Sequence, residues 1–475
     1  MATTSISDAA DPIAQGVASP SYSAAYRGWV LLLIFATMAC NYIDRSIVKV
    51  LAQPIKLEFH LSDLQLGLMT GLAFAMLYIF LGVPIASLSE RRSRVNIITA
   101  AVAVWSVMTA LCGLAGSFTQ LLLCRLGVGV GESGAAPPSQ SLISDYFPPH
   151  QRASAISIHS LGIATGGLLG AVIGGVAGQA WGWRVALMVV GVPGLMLAVL
   201  FKLTVKEPPR GWSDPARTAR AADGPTPSMW QAARRLFTNA TFLNLAAGAG
   251  IANFAIQGIG AFDASYFVRR FDISLAQVGL VVGTVGGLST AVGMLTGGFT
   301  TDWIARNDRR WYVWLPAAGV AITGPLYAIA FLQQTWIASA VVLALPGLFL
   351  YLFHAPAQAV LHNMSHPRMR ATAISLYMVV TATLGLALGP VGVGFAADQI
   401  AARRFAGAGA FTAMCPGGAA PKGAGAVLHA ACHDASAQGV QYAMIGACAL
   451  FAWSALHFLL AGRTVRRDME HGLRI

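Results

Sequence analysis

Apolar residues run through this chain in blocks of about twenty, separated by short polar links. A helix of about twenty residues is about 30 Å long, the thickness of the hydrocarbon core of a bilayer. Twelve such blocks predict twelve helices, near 28–52, 62–88, 95–115, 119–144, 152–178, 183–204, 238–265, 274–301, 312–332, 335–362, 369–399 and 438–462. The pattern breaks after Val205, where Pro208, Pro209, Pro215, Pro225 and Pro227 alternate with Arg210, Arg217, Arg220, Arg234 and Arg235. The expected organisation is a tail over 1–26, a six-helix bundle over 27–204, a polar linker over 205–236, a second six-helix bundle over 237–462 and a tail over 463–475. Residues 400–437 read as a long outer loop, rich in Gly and Ala, within the second bundle. The expected class is an all-α membrane protein.

The two halves repeat. With a shift of 212, Asn41 meets Asn253, Ser62 meets Ser274, Gln65 meets Gln277, Gly67 meets Gly279, Gly71 meets Gly283, Glu90 meets Asp302 and Arg94 meets Arg306. With a shift of 218, Pro138 meets Pro356, Gln140 meets Gln358 and Arg152 meets Arg370. Two parallel six-helix repeats predict a substrate site between the halves and a rocking motion about it.

Composition agrees with this class. The chain is 56% hydrophobic and 11% charged, against about 25% charged in soluble domains. The net charge of +12 does not point to nucleic acid, because the basic residues sit in short links: Arg91, Arg92 and Arg94; Arg306, Arg309 and Arg310; Arg463, Arg466 and Arg467. That distribution predicts cytoplasmic links and two cytoplasmic termini. The first 25 residues lack a basic stretch followed by an apolar core, so they read as a tail rather than a signal peptide. Cys415 and Cys432 share the outer loop, where a disulfide can persist. No metal-ligand spacing is present, and no cofactor is expected.

The candidate chemistry lies in charges at membrane depth, which are functional hypotheses by default. Asn41-Tyr42-Ile43-Asp44-Arg45 sits in the outer part of the first helix, and Lys49 follows one turn after Arg45. Asp44 and Arg45 point about 100° apart, so each needs a partner elsewhere. Arg125 and Glu132 lie two turns apart on one face of the fourth helix, about 10 Å in height, and need partners on another helix. The economical pairings are Asp44 with Arg125 and Arg45 with Glu132. Around Glu132, Gly129-Val130-Gly131-Glu132-Ser133-Gly134 matches a dinucleotide fingerprint, but no strand precedes it. The nucleophile-elbow pattern fails at Ala135. Gly127, Gly131 and Gly134 instead have the small-residue spacing of close helix packing, and Pro137 and Pro138 interrupt the helix.

The segment Ala86-Ser87-Leu88-Ser89-Glu90-Arg91-Arg92-Ser93-Arg94 and its second-half copy, Gly298 to Asp302 with Arg306, resemble the signature of the major facilitator superfamily. The first copy departs from it at Ala86, Ser93 and Glu90. The resemblance implies a cytoplasmic charge latch of Glu90, Arg91, Arg94, Asp302 and Arg306. Asn41 to Arg45, Arg125 with Gly131-Glu132-Ser133, and Glu207-Pro208-Pro209-Arg210-Gly211 are similar to the Spinster family of lysolipid and sphingolipid carriers. The first two segments are also similar to anion:cation symporters for sugar acids. Both resemblances imply that Asp44, Arg45, Arg125 and Glu132 form a coupling site.

Asp44 and Glu132 are then the expected proton carriers, and Arg45 and Arg125 the holders of a substrate anion, with Asn41 and Tyr42 beside them. In the second half Asp44, Arg45, Arg125 and Glu132 align with Ile256, Gln257, Leu343 and Leu350. That asymmetry predicts coupling in the first half and shape recognition in the second, by Asn253, Gln257, Tyr351, His354 and Tyr377. His159 is a further lining candidate that titrates near neutrality. The expected function is a proton-coupled secondary transporter of an organic anion or anionic lipid, monomeric, in a bacterial inner membrane, with substrate, protons and lipid as its partners. A membrane receptor using the same pocket and a sugar-acid or carboxylate symporter are the alternatives. No nucleophile–base pair at matching depth suggests an enzyme.

Overall fold

The computed structural model describes residues 22–210, 212–213, 229–305, 308–365 and 369–471. Among these residues the secondary structure is entirely helical. In the first half the elements are α1 (Ala24–Val50), α2 (Ala52–Phe59), α3 (Asp63–Gly67), α4 (Ala73–Arg91), α5 (Arg94–Cys112), α6 (Phe118–Glu132), α7 (Ala136–Tyr146) and α8 (Pro149–Thr204). A π turn, Leu68–Leu72, joins α3 to α4 in one span. After the linker follow α9 (Met229–Thr238), α10 (Ala240–Phe271), α11 (Leu275–Ile304), α12 (Trp311–Phe331), α13 (Trp336–Leu350) and α14 (His354–Met364). The chain then runs through α15 (Arg370–Ala382), α16 (Gly389–Arg404), α17 (Phe411–Met414), α18 (Ala426–Ala461) and α19 (Val465–His471).

Ten described helical stretches are long and apolar enough to cross a membrane. One of these contains α8, which is two spans broken at Gly182 (φ 81°, ψ 163°). Another span consists of α6 and α7 together, each too short alone. These bring the spans to twelve, six on either side of the linker. The side of the bundle that carries the start of α1 and the end of α18 is called the terminal end, and the opposite side the distal end.

The repeat has a structural meaning at the distal end. Ser62 and Ser274 each cap a helix by accepting from the amide of Gln65 and Gln277, whose side chains return the bond in a capping box. The paired glycines then allow the halves to touch backbone to backbone. A Cβ on Gly67 would lie 2.3 Å from the carbonyl oxygen of Pro390, and one on Gly279 would lie 2.3 Å from that of Ala171. Each capped helix start also receives an acceptor from the other half. Asp398 accepts from the amides of Asp63 and Leu64 at 2.9 and 2.8 Å, and Gln179 accepts from that of Ala276 at 3.0 Å.

Around this seam lies a buried charge network. Asp63 accepts from Lys56 at 2.6 Å and from Arg269 of the second half at 2.9 and 2.7 Å. Arg269 also donates to Gln53 at 2.8 Å. Together these contacts seal the distal end.

The outer connection is shorter than hydropathy predicts. Helix α16 runs to Arg404 and α18 begins at Ala426, so only 405–425 lies between long helices. The apolar block marks the bilayer, whereas the Ala-rich segments beside it continue as helix beyond it. Cys415 and Cys432 are joined by a disulfide. Gly417 and Gly418 have φ of 69° and 81° and rest on the first half, where a Cβ would come within 3.0 Å of His60 Cα and 3.3 Å of Lys56 Nζ.

At the terminal end the start of the linker is tied to the first half. Glu207 accepts from Arg94 at 2.7 Å, from Ser93 at 2.8 Å and from the Val95 amide at 2.9 Å. Arg210 donates to the carbonyls of Ser89 and Arg92 at 2.8 and 2.9 Å, filling acceptors left open where α4 ends. Burial opposes the charged form of Glu207, but the Val95 amide, Arg94 and Ser93 outweigh it and hold the carboxyl below its ordinary range. Residues 214–228 of the linker, and the tail through residue 21, lie outside the described residues.

Two outcomes are expected. Arg269→Met leaves Asp63 short of a partner and should cost about 3–5 kcal/mol, read as a lower unfolding midpoint in detergent; an unchanged midpoint rules out this network as the distal tie. Glu207 has a depressed folded pKa, so its contribution is present above its unfolded pKa, about 4.3, and is lost as pH falls through the folded value. The difference in midpoint between the protein and Glu207→Gln should therefore be larger at pH 7 than at pH 4.

Candidate functional site

Helix α1 presents Asn41, Asp44 and Arg45 inside the first half, with Asn41 and Asp44 buried, and Lys49 toward α10 of the second half. Arg45 Nε donates to Glu132 Oε2 at 2.7 Å, linking α1 to the end of α6. The same guanidinium lies against three rings, with centroids at 4.7 Å for Phe74, 4.9 Å for Tyr78 and 5.2 Å for Tyr42. Ring faces attract a cation and orient its planar fork. Phe74 serves two cations, since Arg125 lies 5.3 Å from the same ring.

The second expected pair does not close directly. Arg125 is buried, and its Nε and Nη1 atoms have no hydrogen-bond partner. Its charge acts on both Asp44 and Glu132. Glu132 Oε1 is also buried without a partner. Unpaired polar atoms at membrane depth are costly unless water or a ligand reaches them.

Glycines bring the helices this close. A Cβ on Gly131 would lie 2.6 Å from the Trp105 nitrogen, and one on Gly129 would lie 2.4 Å from the Phe74 carbonyl oxygen. Gly131 thus packs on α5 and Gly129 on α4, two faces of one helix. The helix then breaks after Glu132, and α7 restarts with Pro137 and Pro138 in its first turn. Proline is tolerated there because the first-turn amides have no helical partner.

A cavity opens beside the pair, lined by Thr37, Asn41, Tyr42, Tyr78, Ser139 and His159 among others. The lining residues of α1 precede Arg45 and those of α7 follow Glu132, so the cavity lies on the terminal side of the pair. His159 is buried in its wall, and its Nδ1 has no partner. Among the described residues no group of three or more His, Cys, Asp or Glu could hold a metal ion.

The second-half candidates are not gathered here. Asn253 donates to Ala249 of its own helix at 3.0 Å. His354 faces Gln358 at 3.4 Å. Gln257 and Tyr351 are half-buried, and Tyr377 is buried with its hydroxyl unpartnered. None of the five lines the cavity.

The second half does carry an acid that the repeat alignment passes over. Asp263 lies within α10, half-buried, and its Oδ1 has no hydrogen-bond partner. Its signal is the one that singled out Asp44: a carboxylate inside an apolar block. The alignment hides it because the paired position in the first half carries no matching charge.

The expected latch is also rearranged. Glu90 and Arg91 are exposed. Arg94 is buried and pairs with Asp145, Ser141 and Glu207, with a further bond to the Pro208 carbonyl at 3.0 Å. Arg94 begins α5 and points beneath α7, whereas Glu90 stands at the open end of α4. The side chain of Asp302 and all of Arg306 lie outside the described residues.

The fold and this site can be set against known proteins. A crystal structure of a bacterial homolog to the human lysosomal transporter Spinster, inward-facing and unoccupied, superposes with a TM-score of 0.83; it is 32% identical and covers 94% of this chain and 99% of its own. An MFS-type efflux pump of Mycolicibacterium smegmatis is 29% identical over 79% of this chain and 85% of its own length. The hexuronate transporter of Bacillus subtilis is 27% identical over 78% and 88%. A family model, the Major Facilitator Superfamily, matches residues 34–390, and the chain belongs to that superfamily of membrane transporters, in which it is Spinster-like.

Proposed function

We propose that this protein moves an organic anion, or an anionic amphipathic lipid such as a lysolipid, by alternating access coupled to protons. The observation that carries the reading is the asymmetry of the Arg45–Glu132 pair. Arg45 keeps 16% of its side-chain surface exposed toward the cavity, whereas Glu132 keeps 0%. An incoming anion therefore meets the cation, and the acid stands behind it.

Anion and Glu132 compete for one guanidinium. Withdrawing one partner from a buried pair costs about 3–5 kcal/mol. A Glu132 displaced by substrate relieves that cost by taking a proton and becoming neutral. Asp44, under the field of the same arginines, can do the same. Protonation then accompanies substrate binding, and release of the anion restores the Arg45–Glu132 pair and expels the proton.

Orientation follows from charge. The basic links support an orientation with the terminal end and both termini in the cytoplasm, and we take the membrane to be a bacterial inner membrane. With the distal seam closed and the cavity on the terminal side, this conformation faces inward. Nothing in the mechanism needs a second subunit, so we take the transporting unit as a monomer. Similarity to a hexuronate transporter favours a second substrate class, a sugar acid or carboxylate, recognised by the same two arginines.

The decisive measurement uses proteoliposomes with an internal pH dye and a panel of sugar acids, carboxylates and lysolipids. One class should change the luminal pH in the wild type. Glu132→Gln and Asp44→Asn should abolish that response; substrate moving equally well through both variants, with no pH change, would overturn proton coupling here. Arg45→Lys keeps the charge but loses the planar fork against three rings. It should raise KM about tenfold, equivalent to about 1.4 kcal/mol, measured as initial rates of uptake.

A further inference from the structure

Among the described residues, three cations and three acids stand in the middle of the molecule: Arg45, Lys49 and Arg125 with Asp44, Glu132 and Asp263. The first half alone is unbalanced. Helices α1 and α6 supply all the cations but only two of the acids, and the third acid comes from α10.

The geometry places that acid opposite Lys49. Lys49 lies one turn beyond Arg45 on α1, and its Nζ rests over α10 at Gly260, 3.8 Å from where a Cβ would stand. Asp263 is three residues further along the same helix and so shares that face. The ammonium and the carboxylate do not close a direct ion pair, and Asp263 Oδ1 is buried with no hydrogen-bond partner. The charge of each nevertheless acts on the other. Arg45 and Arg125 face Lys49 from its own half. Around Asp263 stand Tyr327 of α12, Cys448 of α18 and Tyr266 of its own helix, with Arg270 beyond Tyr266. Lys49 is thus the basic group on the opposite half that Asp263 faces.

We propose that Asp263 neutralises Lys49 across the two halves while the site is empty, and cedes Lys49 to an anionic substrate that reaches past Arg45, by taking a proton from the water admitted with it. This rests on the anion-transport reading above and adds a third titrating carboxylate to it. A monoanion added to the six charges leaves one negative charge in excess until one acid is protonated. The charge count therefore ties one proton to one anion, held by whichever acid the anion displaces, Glu132 from Arg45 or Asp263 from Lys49. It also separates two steps. The loaded protein carries its own counter-charge for Lys49, whereas the empty protein depends on Asp263 to return.

The test compares two transport modes in proteoliposomes, using radiolabelled glucuronate and lysophosphatidylglycerol as probes. Asp263→Asn should lower net flux down a gradient about tenfold or more, while exchange of labelled for unlabelled probe stays within about threefold of wild type. Adding Lys49→Gln removes the orphaned cation; net flux should recover, with KM raised about tenfold. If Asp263→Asn slows both modes alike with no recovery by Lys49→Gln, or slows neither, the inference is overturned. If wild type moves neither probe, the anion reading fails for these substrates, and the charge pair is judged by conformation instead. Spin labels at Leu114→Cys and Leu332→Cys, both exposed beside the distal end, report the closed population in nanodiscs. Asp263→Asn should reduce that population and Lys49→Gln restore it; no change in either variant would remove Asp263 from the mechanism.

Discussion

The cost of an unpaired charge in low-dielectric surroundings, several kcal/mol, shapes this protein at three levels along its axis. At the distal end Asp63 gathers Lys56 and Arg269 and draws the halves together. At mid-depth Glu132 holds Arg45 within one half. At the terminal end Arg94 is met by Asp145 and Glu207. Only the first of these crosses between halves. In the proposed alternating-access cycle, rocking the halves apart at the distal end exposes Asp63 and Arg269 to water, which can replace their contacts, while the Arg45–Glu132 pair travels intact inside its own bundle. Under the anion-transport proposal, a substrate anion perturbs that travelling pair, and only then does charge at mid-depth need to be rebalanced.

Much of this fold was legible in the sequence because it rests on two periodic signals. Blocks of membrane length marked the twelve spans, and several residues of the internal repeat turn out to meet at the distal seam. Ser62 with Gln65 and Ser274 with Gln277 recur because each pair makes a capping box. Gly67 and Gly279 recur because each lies against a carbonyl of the opposite half. The pairing of Arg45 with Glu132 was also foreseeable, since Asp44 points about 100° away from Arg45 and Arg125 stands two turns from Glu132.

What remained hidden was long-range or unrepeated. Asp263 was passed over because the alignment looked for copies of first-half charges at their own positions. Glu207 read as part of a motif after the sixth span, but its grip on the start of α5 depends on how the chain turns after Thr204. Asp145 carried no signal that singled it out, and Arg94 read as a link charge and a member of the latch; only packing of α5 beneath α7 brings them together. The outer loop looked longer than it is, because hydropathy records where lipid ends rather than where a helix does.

The disulfide-bonded loop leans across the seam without being fastened to the far side. Cys415 and Cys432 bind it to the second half, while Gly417 and Gly418 lie on α2 of the first half by contact alone. The staple denies the loop the freedom to stay behind and peel away residue by residue. It must leave together with α16 and α18. In the proposed cycle, distal opening thus acquires a mechanical threshold: the loop and the buried ion network yield in the same stroke, and partial leaks past a half-lifted loop are suppressed.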